Sequence, residues 1–193
     1  PTAEELAAAL ANSSQQTVEA YAENVVTTPL LETPPAGSKI VAEETLPALG
    51  ITHLTLGNGV QVYLKPTDFK DDQVILSAFS PGGTSVVTDT DVPEAALAAQ
   101  IVAQSGIGQL SRTDLDKLLA GKAVSVSPYV DDLGEGFRGN ASPQDLETLF
   151  QLVYLYATQP RLDKDAFDNF ERQVQDYLQN RALAPDSALE DKY

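Results

Sequence analysis

Two short stretches near residue 57 alternate between apolar and polar residues, with a turn sequence between them. The stretches are Thr52–Leu56 and Val60–Lys65. Because successive side chains of a β-strand point to opposite faces, this pattern predicts two strands, and Gly57–Gly59 predicts a tight hairpin turn built from positive-φ residues. A third alternating stretch, Gln73–Ser80, predicts another strand, which Pro81–Gly83 ends.

Helix signals begin after residue 90. The stretch Asp91–Glu94 combines a capping residue, an early proline and an acidic first turn, which predicts a helix that runs to about Gln104. A second helix is predicted over Ser111–Gly121. Two further strands are predicted around Val124–Tyr129 and Gly136–Gly139.

The last third of the chain predicts two more helices. One begins at Ser142 and ends at Gln159–Pro160, and the other begins at Asp163. The second of them has one apolar face, made of Phe167, Phe170, Val174, Tyr177 and Leu178. The predicted order is β-β-β-α-α-β-β-α-α, with strands and helices segregated. This order indicates an α+β fold, in which helices pack on one face of an antiparallel sheet.

Residues 1–47 predict a helical segment followed by a proline-rich interdomain linker. Thr2 and Glu5 have the spacing of a capping box, which predicts the start of the helix, and Asn12–Ser14 predicts a break in it. Residues 27–38 contain three prolines and one glycine. Such a composition favours an extended linker.

Residues 48–193 predict the folded domain. Just before it, Lys39–Glu43 predicts a short strand whose partner lies outside this chain. The chain contains no methionine, and we interpret it as a piece of a longer protein.

The charge balance narrows the classes of partner. Asp and Glu total 28 against 12 Lys and Arg, and the net charge is -16. Such a surface repels phosphate backbones, so we expect no nucleic-acid binding. No apolar run approaches the roughly 20 residues that span a bilayer, so no membrane span is predicted. The absence of cysteine excludes disulfides and thiolate metal ligands within this sequence.

Few residues suggest catalytic chemistry. His53 is the single histidine and lies in a predicted strand. Zinc sites with one imidazole and only carboxylates are rare. We therefore interpret His53 as a surface or rim residue. Gly134–Gly139 matches the G-x-G-x-x-G pattern, but Asp131–Leu133 precedes it in place of an apolar strand, and the next helix begins only after Ser142. We therefore interpret it as a bend and a short strand, and expect no dinucleotide site.

Two pairs of aspartates and the serines also lack the spacing of a functional motif. Asp71–Asp72 and Asp89–Asp91 lack the spacing of a twelve-residue calcium loop and are interpreted as turn and cap residues. The serines form no G-x-S-x-G elbow, so a Ser-His-acid hydrolase is not predicted.

The stretch Ile51–Thr67, with its Asn58–Gly59 turn, resembles the opening hairpin of a domain of the pitrilysin/insulinase (inverzincin) family of zinc metallopeptidases. Gln73–Ser85 is similar to the third strand of such a domain and to its Gly-Ser exit loop. Pro160–Asp163 and the paired helices of Ser142–Arg181 extend the resemblance over about three quarters of the chain.

The resemblance implies that the helix after the exit loop contains His-x-x-Glu-His in active domains. Here that helix is Val92–Gln104, in which Ala95–Ala99 contains four alanines and no histidine. Glu171 lies in a segment, Phe170–Val174, that is similar to the one with a further glutamate ligand in active copies. Without the histidines we assign Glu171 no such role. We predict no catalytic, cofactor-binding or metal-binding residue here, and expect zinc in another domain of the parent protein.

The resemblance is closest to the inactive third domain of bacterial multi-domain members, in which two halves close around an unfolded peptide. It implies a metallohydrolase half-domain that is a non-catalytic part of a zinc endopeptidase, with other domains of the same polypeptide and peptide substrates as partners. It also implies a periplasmic, soluble protein and a domain that continues beyond this chain. One alternative is a non-enzymatic binding or scaffold subunit with the same fold. Another is an unrelated small α+β ligand-binding domain.

Overall fold

The computed structural model describes residues 2–15, 29–183 and 187. Within these ranges the chain forms five α-helices and six β-strands. The helices are α1 (Ala3–Gln15), α2 (Val92–Ser105), α3 (Arg112–Leu118), α4 (Leu146–Thr158) and α5 (Lys164–Leu183). The strands are β1 (Ile40–Leu46), β2 (Ile51–Leu56), β3 (Gln61–Leu64), β4 (Val74–Pro81), β5 (Val124–Val130) and β6 (Gly134–Ala141).

The strands form two separate antiparallel sheets, with the orders β1-β2-β3 and β4-β6-β5. The α+β class is therefore confirmed, whereas the expectation of one sheet is wrong for the described residues. The alternating pattern could not show this division, because it reveals that a strand exists and which face is apolar but not which strand lies beside it.

The hairpin between β2 and β3 is confirmed and has a three-residue loop. The Leu56 N–H donates to the Val60 carbonyl at 2.9 Å, and the Gly59 N–H donates to the Leu56 carbonyl at 2.9 Å. Gly59 alone of the loop residues has a positive φ, of 90°. The prediction of several positive-φ residues is therefore wrong, because a three-residue loop needs a left-handed backbone only at its last position.

Strand β1 pairs with β2 within this chain, with Glu44 opposite His53. The prediction that Lys39–Glu43 finds its partner outside the chain is therefore wrong. The residue pattern does not indicate this pairing, because six of the seven β1 residues are exposed and form no buried apolar face that would fix a register.

The core lies where α4 packs on β5 and β6, with α2 on β5 and beside α5. One cluster of its buried side chains consists of Ile107, Leu115, Leu152, Leu155 and Tyr156. Leu30 and Leu31, from the proline-rich segment, also pack against this cluster. The segment predicted as a linker thus contributes apolar contacts to the domain. The division of the chain at residue 47 stays a prediction.

The helix starts follow the local sequence. Thr2 and Glu5 form the predicted capping box, in which Glu5 Oε2 accepts from the Thr2 N–H at 2.8 Å and Thr2 Oγ1 accepts from the Glu5 N–H at 3.2 Å. Helix α1 continues through Asn12–Ser14 to Gln15, so the predicted break there is wrong. Asp91 occupies the cap position of α2, but its carboxylate accepts from the Thr88 hydroxyl at 2.7 Å and not from the helix.

Asp145, just before α4, joins two segments of the chain. Its Oδ2 accepts from the Ser142 hydroxyl at 2.8 Å and from the Ala123 N–H at 2.9 Å. The hydrogen bond from Ser142, then that from Ala123 and the charge of Lys122 hold the pKa of the Asp145 carboxyl below its ordinary value of 3.8. A lowered pKa in the folded state means that the ionised carboxylate stabilises the fold.

Replacing Asp145 with asparagine is expected to lower the free energy of unfolding at pH 7. Since the folded pKa lies below the unfolded one, the contribution of the carboxylate is full above the unfolded pKa and is lost as the pH falls through the folded pKa. The difference between the two proteins should therefore shrink below about pH 4. Urea unfolding of both proteins from pH 7 to pH 2 measures this difference in unfolding free energy. Asp89→Asn, at an exposed position, is the control. A difference independent of pH would contradict the assignment.

Candidate functional site

The loop before α2 holds this helix in place. In active domains of the family that the sequence resembles, the corresponding helix contains the zinc ligands. The Thr84 N–H donates to the Asp131 carbonyl at 3.0 Å, and the Ser85 N–H donates to the Asp132 carbonyl at 2.8 Å. Gly83 has a φ of 63°, and a Cβ there would lie 2.1 Å from the Asp131 carbonyl oxygen. Only glycine fits this approach. The exit loop therefore fixes the start of α2 against the turn between β5 and β6.

One cavity, of about 530 Å³, lies between α2 and the sheet β4-β6-β5. We call it the sheet-side cavity. Ala98, Ala99 and Val102 line it from α2, and Glu135 is the charged residue in its wall. The Glu135 carboxylate accepts from the Gly83 N–H at 3.2 Å. Tyr156 lies in the same wall, and burial raises the pKa of its phenol. The cavity is therefore apolar, with one carboxylate already engaged by the backbone.

A groove of about 820 Å³ lies between α2 and α5. We call it the α2–α5 groove. Its apolar wall consists of Leu97, Ala98, Ile101, Val102, Leu162, Phe167, Phe170 and Val174. Its charged residues are Glu94, Lys164 and Glu171. Lys164 bonds Asp168 at 2.6 Å, and this bond raises the pKa of the Lys164 ammonium.

The alanines of Ala95–Ala99 lie in a helix, as predicted, and give α2 a hydrocarbon surface towards its neighbours. Ala98 and Val102 line both the sheet-side cavity and the α2–α5 groove. Glu171 lines the groove as well, so it and α2 face a common space. The α2 residues in that space are Glu94, Leu97, Ala98, Ile101 and Val102. Except for the Glu94 carboxylate, these side chains neither bind a metal nor transfer a proton.

His53 lies apart from α2, in the middle strand of the other sheet. Its Nε2 is 2.6 Å from Gln61 Oε1, and its ring stacks on Tyr63 with centroids 4.4 Å apart. Its Nδ1 is 3.9 Å from Glu44 Oε2. The ring is thus engaged by the strands on both sides of it. Within residues 2–15, 29–183 and 187, no three or more His, Asp or Glu side chains form a group that could hold a metal ion.

The glycine pattern Gly134–Gly139 forms β6, the central strand of its sheet, and no helix begins within it. A Cβ at Gly136 would lie 2.0 Å from the Ala78 carbonyl oxygen, and one at Gly139 would lie 2.7 Å from that of Ser125. The glycines therefore allow close strand packing, as isolated strand glycines often do. The pattern lies within one continuous strand, so the predicted strand is confirmed and the predicted bend is wrong.

The predicted apolar face of α5 is only partly buried. Phe170 is buried, whereas Phe167, Tyr177 and Leu178 are exposed. Helical spacing identifies an apolar stripe, but it does not identify what covers the stripe.

None of the described helices combines the length and the apolar character needed to cross a membrane.

The chain is similar in sequence to three proteins described as zinc proteases. It is 26% identical over 128 residues to the probable zinc protease PqqL of Haemophilus influenzae, and 32% identical over 120 residues to the zinc protease PQQL-like of Arabidopsis thaliana. It is 30% identical over 116 residues to the probable zinc protease PqqL of Escherichia coli. These matches cover 66%, 62% and 60% of this chain, but only 14%, 10% and 12% of the relatives. No protein-family model matches the chain.

Two solved structures share the fold over the whole chain. One is a mutant of the ferredoxin protease FusC in complex with Arabidopsis ferredoxin, with a TM-score of 0.75 and 21% identity. The other is the periplasmic protease PqqL from Escherichia coli, with a TM-score of 0.73 and 23% identity. This chain covers 21% of each. Its sequence and fold therefore fit a segment of a pitrilysin-type zinc protease, as the resemblance implied.

Proposed function

We propose that this chain is a non-catalytic domain of a zinc-dependent endopeptidase and forms part of the closed chamber that holds and positions peptide substrates. The parent protein has its zinc in another domain, and its partners are its own other domains and peptides. Residues 1–47 connect this domain to the preceding part of the polypeptide, and residues 48–193 begin the inactive domain. The periplasmic PqqL structure supports a periplasmic location for the parent.

One observation carries the proposal: the helix after the exit loop presents hydrocarbon side chains where a zinc peptidase needs imidazoles. Catalysis of this kind requires two histidines on one helical face, a glutamate to activate water and a further ligand. Glu171 lines the α2–α5 groove, but on the α2 side the groove has hydrocarbon side chains and the single carboxylate of Glu94, with no imidazole. Similarity to zinc proteases together with this face supports a domain that has kept the scaffold without the metal chemistry.

A domain without the reacting groups can still contribute to rate. Holding an unfolded peptide in the correct position removes an entropic cost from the chemical step, and this effect accounts for a large part of many enzymatic accelerations. The net charge of -16 favours basic peptides within such a chamber. The groove and the cavity beside α2 offer apolar surface for their side chains.

The purified chain is expected to show no hydrolysis of unfolded, fluorescently labelled polypeptides, with or without one equivalent of zinc. It should also show no tight stoichiometric zinc uptake by isothermal titration calorimetry. Glu171→Gln should leave both results unchanged, with Glu135→Gln as the matched control from the opposite side of α2. Zinc-dependent cleavage or uptake that Glu171→Gln abolishes and Glu135→Gln does not would overturn the non-catalytic assignment.

The parent protein tests the chamber role. After deletion of residues 48–193 it should retain its zinc and cleave unfolded polypeptides at least about 100-fold more slowly, because positioning is lost while the metal chemistry remains. Unchanged cleavage would contradict the role. The upstream reading frame separates the scaffold alternative: a His-x-x-Glu-His motif there supports the protease, and its absence supports a non-enzymatic subunit.

A further inference from the structure

The loop between β2 and β3 contains Asn58 followed by Gly59, the single Asn-Gly pair of the sequence. Asparagine is one of the chemically labile residues of proteins. Its side-chain amide is lost when the backbone nitrogen of the next residue attacks the amide carbon. A following glycine has no Cβ to obstruct this attack and leaves the backbone free to adopt the necessary geometry. Asn58 is therefore the asparagine of this chain with the least hindered route to deamidation.

The hairpin exposes this pair and also polarises the amide of Asn58. Every residue from Gly57 to Val60 is exposed. Asn58 Oδ1 accepts from the Val60 N–H at 3.2 Å. During the attack negative charge develops on this oxygen, so a backbone N–H that already donates to it stabilises the tetrahedral intermediate. The loop therefore holds the carbon that is attacked in an activated state.

The attacking nitrogen, in contrast, is restrained by the fold. The Gly59 N–H donates to the Leu56 carbonyl at 2.9 Å, and this bond must break before the nitrogen can lose its proton. The Ser38 hydroxyl accepts from the Asn58 N–H at 3.1 Å, which ties the loop to the segment before β1. Local opening of the loop therefore sets the rate at which the nitrogen becomes free to react.

We propose that Asn58 is a modification site at which the folded protein undergoes deamidation, controlled by opening of the loop between β2 and β3. Hydroxide removes the Gly59 amide proton, and the nitrogen bonds to Asn58 Cγ. The bond from Cγ to Nδ2 breaks, Nδ2 takes a proton from water and leaves as ammonia, and a five-membered succinimide remains. One water molecule then opens this ring. The net reaction consumes water and releases ammonia, with no oxidation or reduction, and it is independent of the proposed protease function.

The two products of ring opening affect the hairpin differently. Opening at Cγ gives aspartate, whose Oδ1 still accepts from the Val60 N–H, so the loop is retained. Opening at the backbone carbonyl gives isoaspartate, in which the main chain runs through the side chain and is longer by one methylene. The hydrogen bonds from Gly59 to Leu56 and from Leu56 to Val60 both span position 58. Because loop length determines the geometry of a hairpin, isoaspartate should break these bonds and weaken the pairing of β2 with β3.

Peptide mapping by mass spectrometry, after incubation of the folded full-length parent protein and of this chain at pH 6 and at pH 9, tests the proposal. The peptide that contains Asn58 should gain the mass difference between an amide and an acid, and more rapidly at the higher pH. Asn140 is the internal control, because Ala141, which has a Cβ and is 2% exposed, follows it. Urea should accelerate the reaction at Asn58, since unfolding releases Gly59.

Ser38→Ala tests the control by the loop. It removes the hydrogen bond to Asn58 and should accelerate deamidation of the folded protein by about 2- to 10-fold, the range that one net hydrogen bond supports. In urea, Ser38→Ala and the unchanged protein should react at the same rate. Ser127→Ala, at an exposed position of β5, is the matched control.

Hydrogen exchange tests the difference between the two products. Asn58→Asp is identical to the aspartate product, so its β3 amides should exchange as slowly as those of the unmodified protein. The isoaspartate fraction, separated by chromatography, should exchange these amides faster.

Four outcomes would overturn the proposal. Equal conversion of Asn58 and Asn140 in the folded protein, or none at Asn58, would show that the pair is not a reactive site. Equal rates at Asn58 with and without urea, or equal effects of the two alanine variants, would show that the loop does not control the reaction. Conversion in this chain but not in the parent would show that another domain covers the loop. Unchanged exchange in the isoaspartate fraction would contradict the effect on the hairpin.

Discussion

Replacing Gly106 with alanine is expected to lower the free energy of unfolding by about 4 kcal/mol, at the upper end of single-residue effects. Gly106 ends α2 with a φ of 92° and a ψ of -152°, a backbone region that is essentially restricted to glycine. An added Cβ would also lie 2.2 Å from the Leu110 carbonyl oxygen and 2.7 Å from the Arg112 nitrogen. These contacts are with backbone, which cannot move aside as a flexible side chain would.

The loss should extend to the core because the turn after Gly106 is fixed on both sides. The Ile107 N–H donates to the Leu110 carbonyl at 2.9 Å, and the Leu110 N–H donates to the Ile107 carbonyl at 2.8 Å. Ile107 is 1% exposed and belongs to the core cluster. Any shift that relieves the clash therefore moves a buried side chain.

Gly121→Ala is the matched control for this variant. Gly121 has a φ of 82°, similar to that of Gly106, but a Cβ there would meet nothing within 4 Å. Its replacement should cost only the left-handed backbone penalty of about 1–2 kcal/mol. Urea unfolding followed by circular dichroism measures both variants. Equal losses of unfolding free energy in the Gly106 and Gly121 variants would show that the backbone around Gly106 relaxes without cost.

Replacing Leu152 with alanine is expected to destabilise the protein by about 3 kcal/mol, because it removes buried methyl groups and leaves a cavity that the surroundings fill only partly. Leu152 is 2% exposed and lies on α4 in the core cluster, together with Leu155 and Tyr156. The sheet-side cavity already lies beside Tyr156. Few neighbouring apolar side chains can therefore move into the space that the Leu152 side chain leaves.

Phe150→Ala on the same helix provides the comparison. Phe150 is 57% exposed, so its removal should cost less than about 1 kcal/mol although more atoms are deleted. Chemical unfolding with both variants gives the two values. A larger loss for Phe150 than for Leu152 would mean that the outer face of α4 is covered in solution and that the core lies elsewhere.

Local features of this fold could be predicted from the sequence. The capping box of Thr2 and Glu5, the Ser142 start before α4 and the hairpin around Asn58 each depend on residues within a few positions of one another, so their chemistry is visible in one short window. The span of α2 was likewise predictable, because Pro93 near its start and Gly106 at its end mark both limits.

Features that depend on distant residues could not be predicted in this way. The partner of β1 and the division into two sheets are set by which edges meet, and β1 offers no buried face that would reveal its neighbour. The partial exposure of the α5 stripe depends on what lies beside it. Sequence could show that α2 lacks histidine. It could not show that Ala98 and Val102 separate two apolar spaces, because that depends on the positions of β4 and α5.

The packing of Leu30 and Leu31 against the core has a practical consequence for truncated versions of this polypeptide. A shortened version that starts at residue 48, where composition alone would place the beginning of the domain, loses the two leucines that cover part of the cluster around Ile107 and Leu115. This truncation would expose an apolar patch, and the purified protein would aggregate because of the truncation itself. Starting at Pro29 instead keeps this covering in place.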